Sequence, residues 1–134
     1  MRKIAYFFLI CTVVGLIISA VFQSFPLFTV IGRGLLLSLS TNQYEQAYGM
    51  FTSDFQNRNS FTNFKDKVHA LGLDQYENVI WTNQLEDKQN LSATIKGTVF
   101  LKDKRQLEIQ LEMIQVRGAS ATDKGWRIDN MYVK

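Results

Sequence analysis

An uncharged apolar segment runs from Ile4 to Phe22 and separates Arg2 and Lys3 from the rest of the chain. A helix needs about 20 predominantly apolar residues to cross the hydrocarbon of a bilayer. The segment therefore predicts a transmembrane helix, and the positive pair before it predicts a cytoplasmic N-terminus and an exported remainder. The side chains predicted to anchor the chain in the bilayer are Ile4, Phe7, Phe8, Leu9, Val13, Leu16, Ile17 and Phe22.

A cleaved signal peptide is the alternative interpretation of this segment, because it has the same positive start and an apolar core. Ser19 and Ala20 provide small residues for a cleavage site, but Ile18 is large for the position three residues before the cut. The hydrophobicity also continues past Ala20 as far as Phe28. We therefore favour an uncleaved anchor.

The anchor divides the chain into a cytoplasmic tip with a transmembrane anchor at residues 1–26 and an extracytoplasmic domain at residues 27–134. Cys11 is the only cysteine, so the chain can form neither an internal disulfide nor a thiolate metal site. We expect no cofactor. A single helix followed by a domain without disulfides favours a single-pass protein of the bacterial inner (cell) membrane with a periplasmic domain.

The exported part is nearly neutral. The chain has 15 Lys and Arg against 12 Asp and Glu, and without Arg2 and Lys3 the balance is 13 against 12. The basic residues are interleaved with acidic ones, whereas a nucleic-acid-binding protein needs a basic stripe. We therefore expect no nucleic-acid partner.

The first exported segment, residues 27–40, predicts an unusually apolar helix. Ile31, Leu35 and Leu39 recur at helical spacing, and Arg33 is the only charge. Such a helix must be buried under a sheet, at the membrane surface or against a partner. We favour contact with other integral membrane proteins or with a second copy, through Phe28, Ile31, Leu35, Leu36 and Leu39.

Two shorter helices are predicted next. Asn42 and Glu45 have the spacing of a reciprocal cap. On the helix that they begin, one face would carry Tyr44, Ala47, Tyr48 and Phe51. Ser60 or Asn59 can cap a third helix that Gly72 ends. Its apolar face would consist of Phe61, Phe64, Val68 and Leu71.

From Tyr76 onward the apolar period changes to two, which predicts strands. Val79 and Trp81 fall in the first strand, and residues 91–101 alternate through the second. The third strand, QLEIQLEM, would turn inward Leu107, Ile109, Leu111 and Met113. The fourth strand would carry Trp126, Ile128 and Tyr132. Polar turns at residues 87–90 and 103–105 favour an antiparallel meander.

Helices followed by four strands predict an α+β fold, with about three helices packed on a four-stranded antiparallel sheet. Three segments carry a resemblance to the NTF2-like (cystatin-like) superfamily, in particular to its small membrane-anchored members of unassigned function. They are LLLSLSTNQYEQAYGMFTSDF, SFTNFKDKV and GWRIDNMYV. The resemblance implies a roll in which the sheet curls over the helices. It extends more loosely to the VirB8-like assembly factors of secretion machines.

Enzymes of this superfamily line the cone of the roll with carboxylates, histidine or tyrosine. The corresponding cavity candidates here are Tyr48, Asp54 and His69, with Tyr76 and Asn130 as further polar residues. A solitary helical histidine is more often a surface residue than a base, and Asp66 is spaced to form a local ion pair with His69. The other candidates are more often caps or core aromatics, and we predict no catalytic site.

Glu108, Gln110 and Glu112 alternate on one face of the third strand, and their predicted role is cross-strand pairing. Two functions remain. The favoured one is a non-catalytic accessory or assembly subunit of a bacterial membrane protein complex, which contacts its partners through the membrane-proximal helix and the sheet. The alternative is an extracytoplasmic small-ligand-binding domain or enzyme that uses the NTF2-like cone.

Overall fold

The structure is a computed structural model that describes residues 27–116 and 125–134. The predicted anchor falls at residues 1–26, outside the described part of the chain. Among the described helices, none is long and apolar enough to cross a membrane.

Within the described residues, four helices precede a four-stranded sheet, which confirms the predicted α+β class. The helices are α1 (Leu27–Ser40), α2 (Tyr44–Gly49), α3 (Ser53–Arg58) and α4 (Phe61–Leu71), and a 3₁₀ turn follows at Leu73–Gln75. The strands are β1 (Tyr76–Asp87), β2 (Ser92–Leu101), β3 (Gln106–Gln115) and β4 (Trp126–Val133). They pair antiparallel in chain order, so the predicted meander is confirmed.

The helix α1 lies against the inner face of the sheet, with Phe28, Ile31, Leu35, Leu36 and Leu39 all buried in the core. Of the three environments that could accept this apolar segment, the structure has the first, which is burial under the sheet. The five side chains are therefore not available on the surface, and their prediction as a partner interface needs correcting. Periodicity identified the apolar face of the helix but not what covers it.

Asn42 ends α1 instead of beginning α2, so the predicted cap with Glu45 is wrong. Asn42 is left-handed, with φ of 62°, and its N–H donates to the Leu39 carbonyl. The N–H of Gln43 reaches back to the Ser38 carbonyl at 2.8 Å. These two bonds form a Schellman stop, for which asparagine is the usual substitute for glycine.

The predicted second helix is shorter than expected, because α2 ends at Gly49 before Phe51, and the short helix α3 that follows was not predicted. Phe51 forms an isolated parallel bridge with Ile128 of β4 instead of continuing the helix. The predicted limits of α4 are confirmed. The Ser60 hydroxyl accepts the Asn63 N–H at 3.2 Å, and Gly72 is left-handed with φ of 82°.

Residues 50–52 cover the outer edge of β4. The N–H of Thr52 donates to the Ile128 carbonyl at 2.9 Å, and the N–H of Ile128 donates to the Met50 carbonyl at 2.9 Å. The Thr52 hydroxyl caps α3 by accepting the Phe55 N–H, and it donates to Asp129 Oδ1 at 2.7 Å. The first part of this edge, at Ile128 and Asp129, is therefore bonded by the chain's own backbone and side chains.

A register shift in the β3–β4 pairing changes which side chains of β4 face the core. Met131 lies opposite Leu111, but Ile128 lies opposite Met113, so one extra residue is accommodated between them. Simple alternation from Trp126 and Ile128 would turn Tyr132 inward. The shift instead buries Met131 and leaves Tyr132 on the outside.

Two glycines make room for the indole of Trp81 on the inner face. A Cβ at Gly97 would lie 2.8 Å from Trp81 Cε3, and one at Gly32 would lie 2.7 Å from Trp81 Cζ2. The indole N–H is buried and has no hydrogen-bond partner within the described structure. Trp81 is therefore held in place by van der Waals packing and not by a hydrogen bond from its indole N–H.

Candidate functional site

The outer face of the sheet is the side that the described helices leave uncovered. Its side chains follow the strand registers in rows. One row contains Ile80, Thr98, Glu108 and Lys134, the next contains Asn83, Lys96, Gln110 and Tyr132, and a third contains Leu85, Thr94, Glu112 and Asn130. The outer face thus mixes both charges with amides and large apolar groups.

Large apolar side chains are exposed on the outer face. Leu85 is 64% exposed, Ile80 is 53% exposed and Tyr132 is 51% exposed. Scattered apolar side chains are ordinary on a protein surface, but here they share one face with polar groups between them. Tyrosine, with its apolar ring and polar hydroxyl, is among the side chains enriched in protein interfaces.

A shallow groove of about 380 Å³ crosses this face. Gly97 also borders the groove, although a side chain at this position would point to the inner face, and the remaining lining is mostly polar. It consists of Thr82, Lys96, Thr98, Glu108, Ile109, Gln110, Tyr132 and Lys134. Lysines and a glutamate in one open groove favour mixed polar contacts over the binding of a strongly charged ligand.

The predicted pairing across strands occurs through an amide. Asn130 Nδ2 donates to Glu112 Oε2 at 3.1 Å, and Arg58 Nη1 reaches Asn130 Oδ1 at 3.3 Å. A second nitrogen of Arg58 donates to the Asp129 carbonyl at 3.1 Å. Asn130 therefore lies on the outer face near the edge of β4, where it links neighbouring polar groups.

The outer edge of β1 differs from that of β4. From Thr82 to Asp87 the strand is exposed on both faces, and among the described residues no hydrogen bond to its outer edge is made by another segment. Such an edge presents N–H and C=O groups that can template a further strand. The run TNQLED is polar except for Leu85, which is why hydrophobic periodicity gave no signal for it.

His69 lies apart from the outer face, on an exposed side of α4. Its Nδ1 is 2.8 Å from Asp74 Oδ2, so the carboxylate that contacts it is Asp74 and not the predicted Asp66. Burial raises the pKa of the neighbouring Tyr44, and the Asp74 carboxylate raises it further. Lys65 Nζ lies 5.2 Å from the centroid of the Tyr44 ring. The contacts of this cluster are those of an exposed helix surface.

Tyr48 and Asp54 have structural contacts of their own. The Tyr48 hydroxyl donates to the Asn59 carbonyl at 2.6 Å and can also reach the Gln56 carbonyl at 3.1 Å. Asp54 is exposed in the first turn of α3, where a carboxylate suits the helix dipole. The structure does not bring these two residues together with His69 around one cavity.

The inner face of the sheet is packed against α1. Its fully buried side chains interdigitate between α1 and the sheet: Leu35, Leu36, Leu39, Ile95, Val99, Ile109, Leu111, Met113 and Ile128. Tyr76 is also buried there; burial raises the pKa of its hydroxyl, and Arg33 partly opposes this shift. In the described ranges, no group of three or more His, Cys, Asp or Glu side chains could hold a metal ion.

The fold and these surfaces define a small α+β domain with an open sheet face. The chain matches no family model, and the searches of curated proteins and of solved structures found no match either.

Proposed function

We propose that this protein is a non-catalytic accessory or assembly subunit of a bacterial membrane protein complex, and that it binds its partner through the outer face of the sheet. The observation that carries the proposal is the group of exposed apolar side chains at Ile80, Leu85 and Tyr132, set among polar residues on an uncovered face. This arrangement resembles an interface with apolar contact points and polar surroundings.

The proposal places the contact surface on the sheet alone, since the apolar face of α1 is used by the core. The distribution of the catalytic candidates also supports a binding role. His69 pairs with Asp74 on the surface, and the Tyr48 hydroxyl is engaged by backbone carbonyls. The membrane location and the NTF2-like relationship remain predictions from the sequence.

The test is extraction of the full-length tagged protein from native membranes in mild detergent, followed by quantification of proteins recovered in stoichiometric amounts. We expect a defined assembly, and Tyr132→Ser should reduce the recovered partner by about tenfold or more, since a hot-spot side chain contributes about 1.4 kcal/mol or more. Leu37→Ser is the matched control, because Leu37 is similarly exposed at 55% but lies on α1.

Both variants must keep the wild-type melting temperature for the comparison to hold. Recovery of the protein without any partner in several mild detergents would contradict the proposal. Equal loss of the partner in the Tyr132 and Leu37 variants would show that the outer face of the sheet is not the specific contact surface.

A further inference from the structure

We propose that two copies of this chain pair antiparallel through the outer edges of their β1 strands, about a two-fold axis at Leu85, to form one continuous sheet. The inference deepens the proposed function, on which it rests, by naming a second copy of the chain as one partner. It assigns the edge of β1 to self-association and leaves the outer face to other proteins.

The paired segment would be residues 82–87. Nothing in the described part of the chain covers this segment on either face, and Leu85 is the most exposed of the large apolar side chains there. A strand added at an open edge gains main-chain hydrogen bonds along its length. The register shift between Trp81 and Asn83 interrupts regular pairing at Thr82, so the regular part of the edge runs from Asn83 to Asp87.

The bonds along the first part of the β4 edge limit which edges can meet. Because Thr52, Ile128 and Met50 exchange hydrogen bonds there, a β1 strand from another copy could pair with the whole length of β4 only by displacing them. Pairing of β1 with β4 would build an open filament, whereas pairing of β1 with β1 uses the same surface on both copies and closes. The free edge therefore favours a dimer over a polymer.

The sequence of the edge is complementary to itself when the axis passes through Leu85. Leu85 then faces its symmetry mate, Gln84 faces Glu86, and Asn83 faces Asp87. Each carboxylate meets an amide that can donate a hydrogen bond, and no acid lies directly opposite another acid. Like charges directly opposite across a strand pair destabilise it, so this register avoids the main electrostatic cost.

The symmetry also suits two anchored copies. An axis perpendicular to the sheet keeps the inner faces of both copies on the same side. Since α1 packs on the inner face, both chains would enter their domains at Leu27 from that side. Two segments that precede Leu27 could then enter one membrane.

The first measurement is the protein mass of the full-length chain in mild detergent by light scattering, over a dilution series. We expect a reversible dimer near twice the 15.4 kDa of the chain. Leu85→Lys should raise the dissociation constant by about tenfold or more, because it places two like charges opposite each other. Leu37→Lys, at a similarly exposed leucine on α1, should leave the dissociation constant unchanged.

The second measurement tests the register, in a Cys11→Ser background that removes the only native cysteine. Leu85→Cys should form an interchain disulfide on mild oxidation, since directly opposite residues have Cα atoms about 4.5–5.5 Å apart. Leu37→Cys should not. Gln84→Glu should weaken the dimer by setting carboxylates against Glu86, and Gln84→Lys should strengthen it.

A monomer at all concentrations would overturn the proposal, as would a dimer that Leu85→Lys and Leu37→Lys affect equally. The two proposals can fail separately. Self-association is measured on the purified chain with the Leu85→Lys variant, whereas partner binding is measured by recovery from native membranes with the Tyr132→Ser variant.

Discussion

The two edge strands of this sheet have opposite surroundings. The edge of β4 is covered at Ile128 and Asp129, by backbone bonds from Met50 and Thr52, by the Thr52 hydroxyl and by Arg58. The edge of β1 has no such cover within the described ranges, and its second half is exposed on both faces. A further strand can therefore pair along residues 82–87 of β1 without displacing a bond, whereas pairing along the whole of β4 would displace those at Ile128.

The covered edge is also where the helical half of the molecule is joined to the sheet. Phe51 and Ile128 form their bridge between segments that are far apart in the sequence. Phe51 stacks on Phe55, with ring centroids 4.1 Å apart, which extends the contact into α3. Changes at the covered edge should therefore lower the free energy of unfolding, whereas changes at the open edge should mainly affect association.

The largest expected difference is between truncations at the two edges. Ile128→Ala should lower the free energy of unfolding by about 2–5 kcal/mol, because it leaves a cavity at a fully buried position. Leu85→Ala, at the exposed edge, should change it by no more than about 0.5 kcal/mol. Denaturant unfolding of the full-length chain in mild detergent, at a concentration where it is monomeric, measures both. Similar losses at the two positions would show that the open edge is packed in the folded monomer.

A smaller difference is expected between two threonines. Thr52→Val removes a helix cap and the bond to Asp129, and it should cost about 1–2 kcal/mol of folding free energy. Thr82→Val, where the exposed hydroxyl lies 3.4 Å from the Lys96 carbonyl, should cost at most about 0.5 kcal/mol. Thermal melts followed by circular dichroism compare the pair. An equal cost would mean that the Thr52 contacts contribute little to the covered edge.

The smallest expected effect is at the acidic end of β1. Hydrogen bonds from the backbone N–H and the side-chain amide of Asn90, and then from the N–H of Gln89, hold the pKa of Asp87 below its usual value. A lowered pKa in the folded state means that the carboxylate stabilises the turn above its unfolded pKa of about 3.9. This contribution is lost as the pH falls through the folded pKa.

We therefore expect Asp87→Asn to be slightly less stable than the wild type at neutral pH, with the difference shrinking below about pH 4. Melting curves between neutral and acid pH provide the measurement. Glu86→Gln is the control, since it removes the adjacent carboxylate, which makes none of the bonds in this turn. A difference that stays constant across the pH range would argue against a role for the ionised Asp87.

Local patterns predicted most of the elements. The period of two placed all four strands and their order, and Ser60 with Gly72 predicted the limits of α4. An error arose where one residue can either end one helix or begin the next. Asn42 could begin α2 or end α1, and the competing Schellman bonds to α1 decided the outcome.

The candidate surface could be predicted only in part. The outward alternation in β3 was visible in Glu108, Gln110 and Glu112, but Leu85 stands alone in a polar run and gave no periodic signal. Tyr132 was expected beside Ile128, and the register shift opposite Glu112 placed it outside instead. A shift of this kind depends on how two strands pair, and one strand's sequence does not specify it.

The sequence by itself determined which segments form helices and strands, because backbone preference, side-chain period and capping act over a few residues. The tertiary structure decided which apolar surfaces became core and which sheet edge stayed open. Burial of α1 depends on a sheet that lies later in the chain, and cover of the β4 edge depends on the bridge between Phe51 and Ile128. Burial and edge cover are relations between distant segments, and each segment's own pattern is compatible with more than one partner.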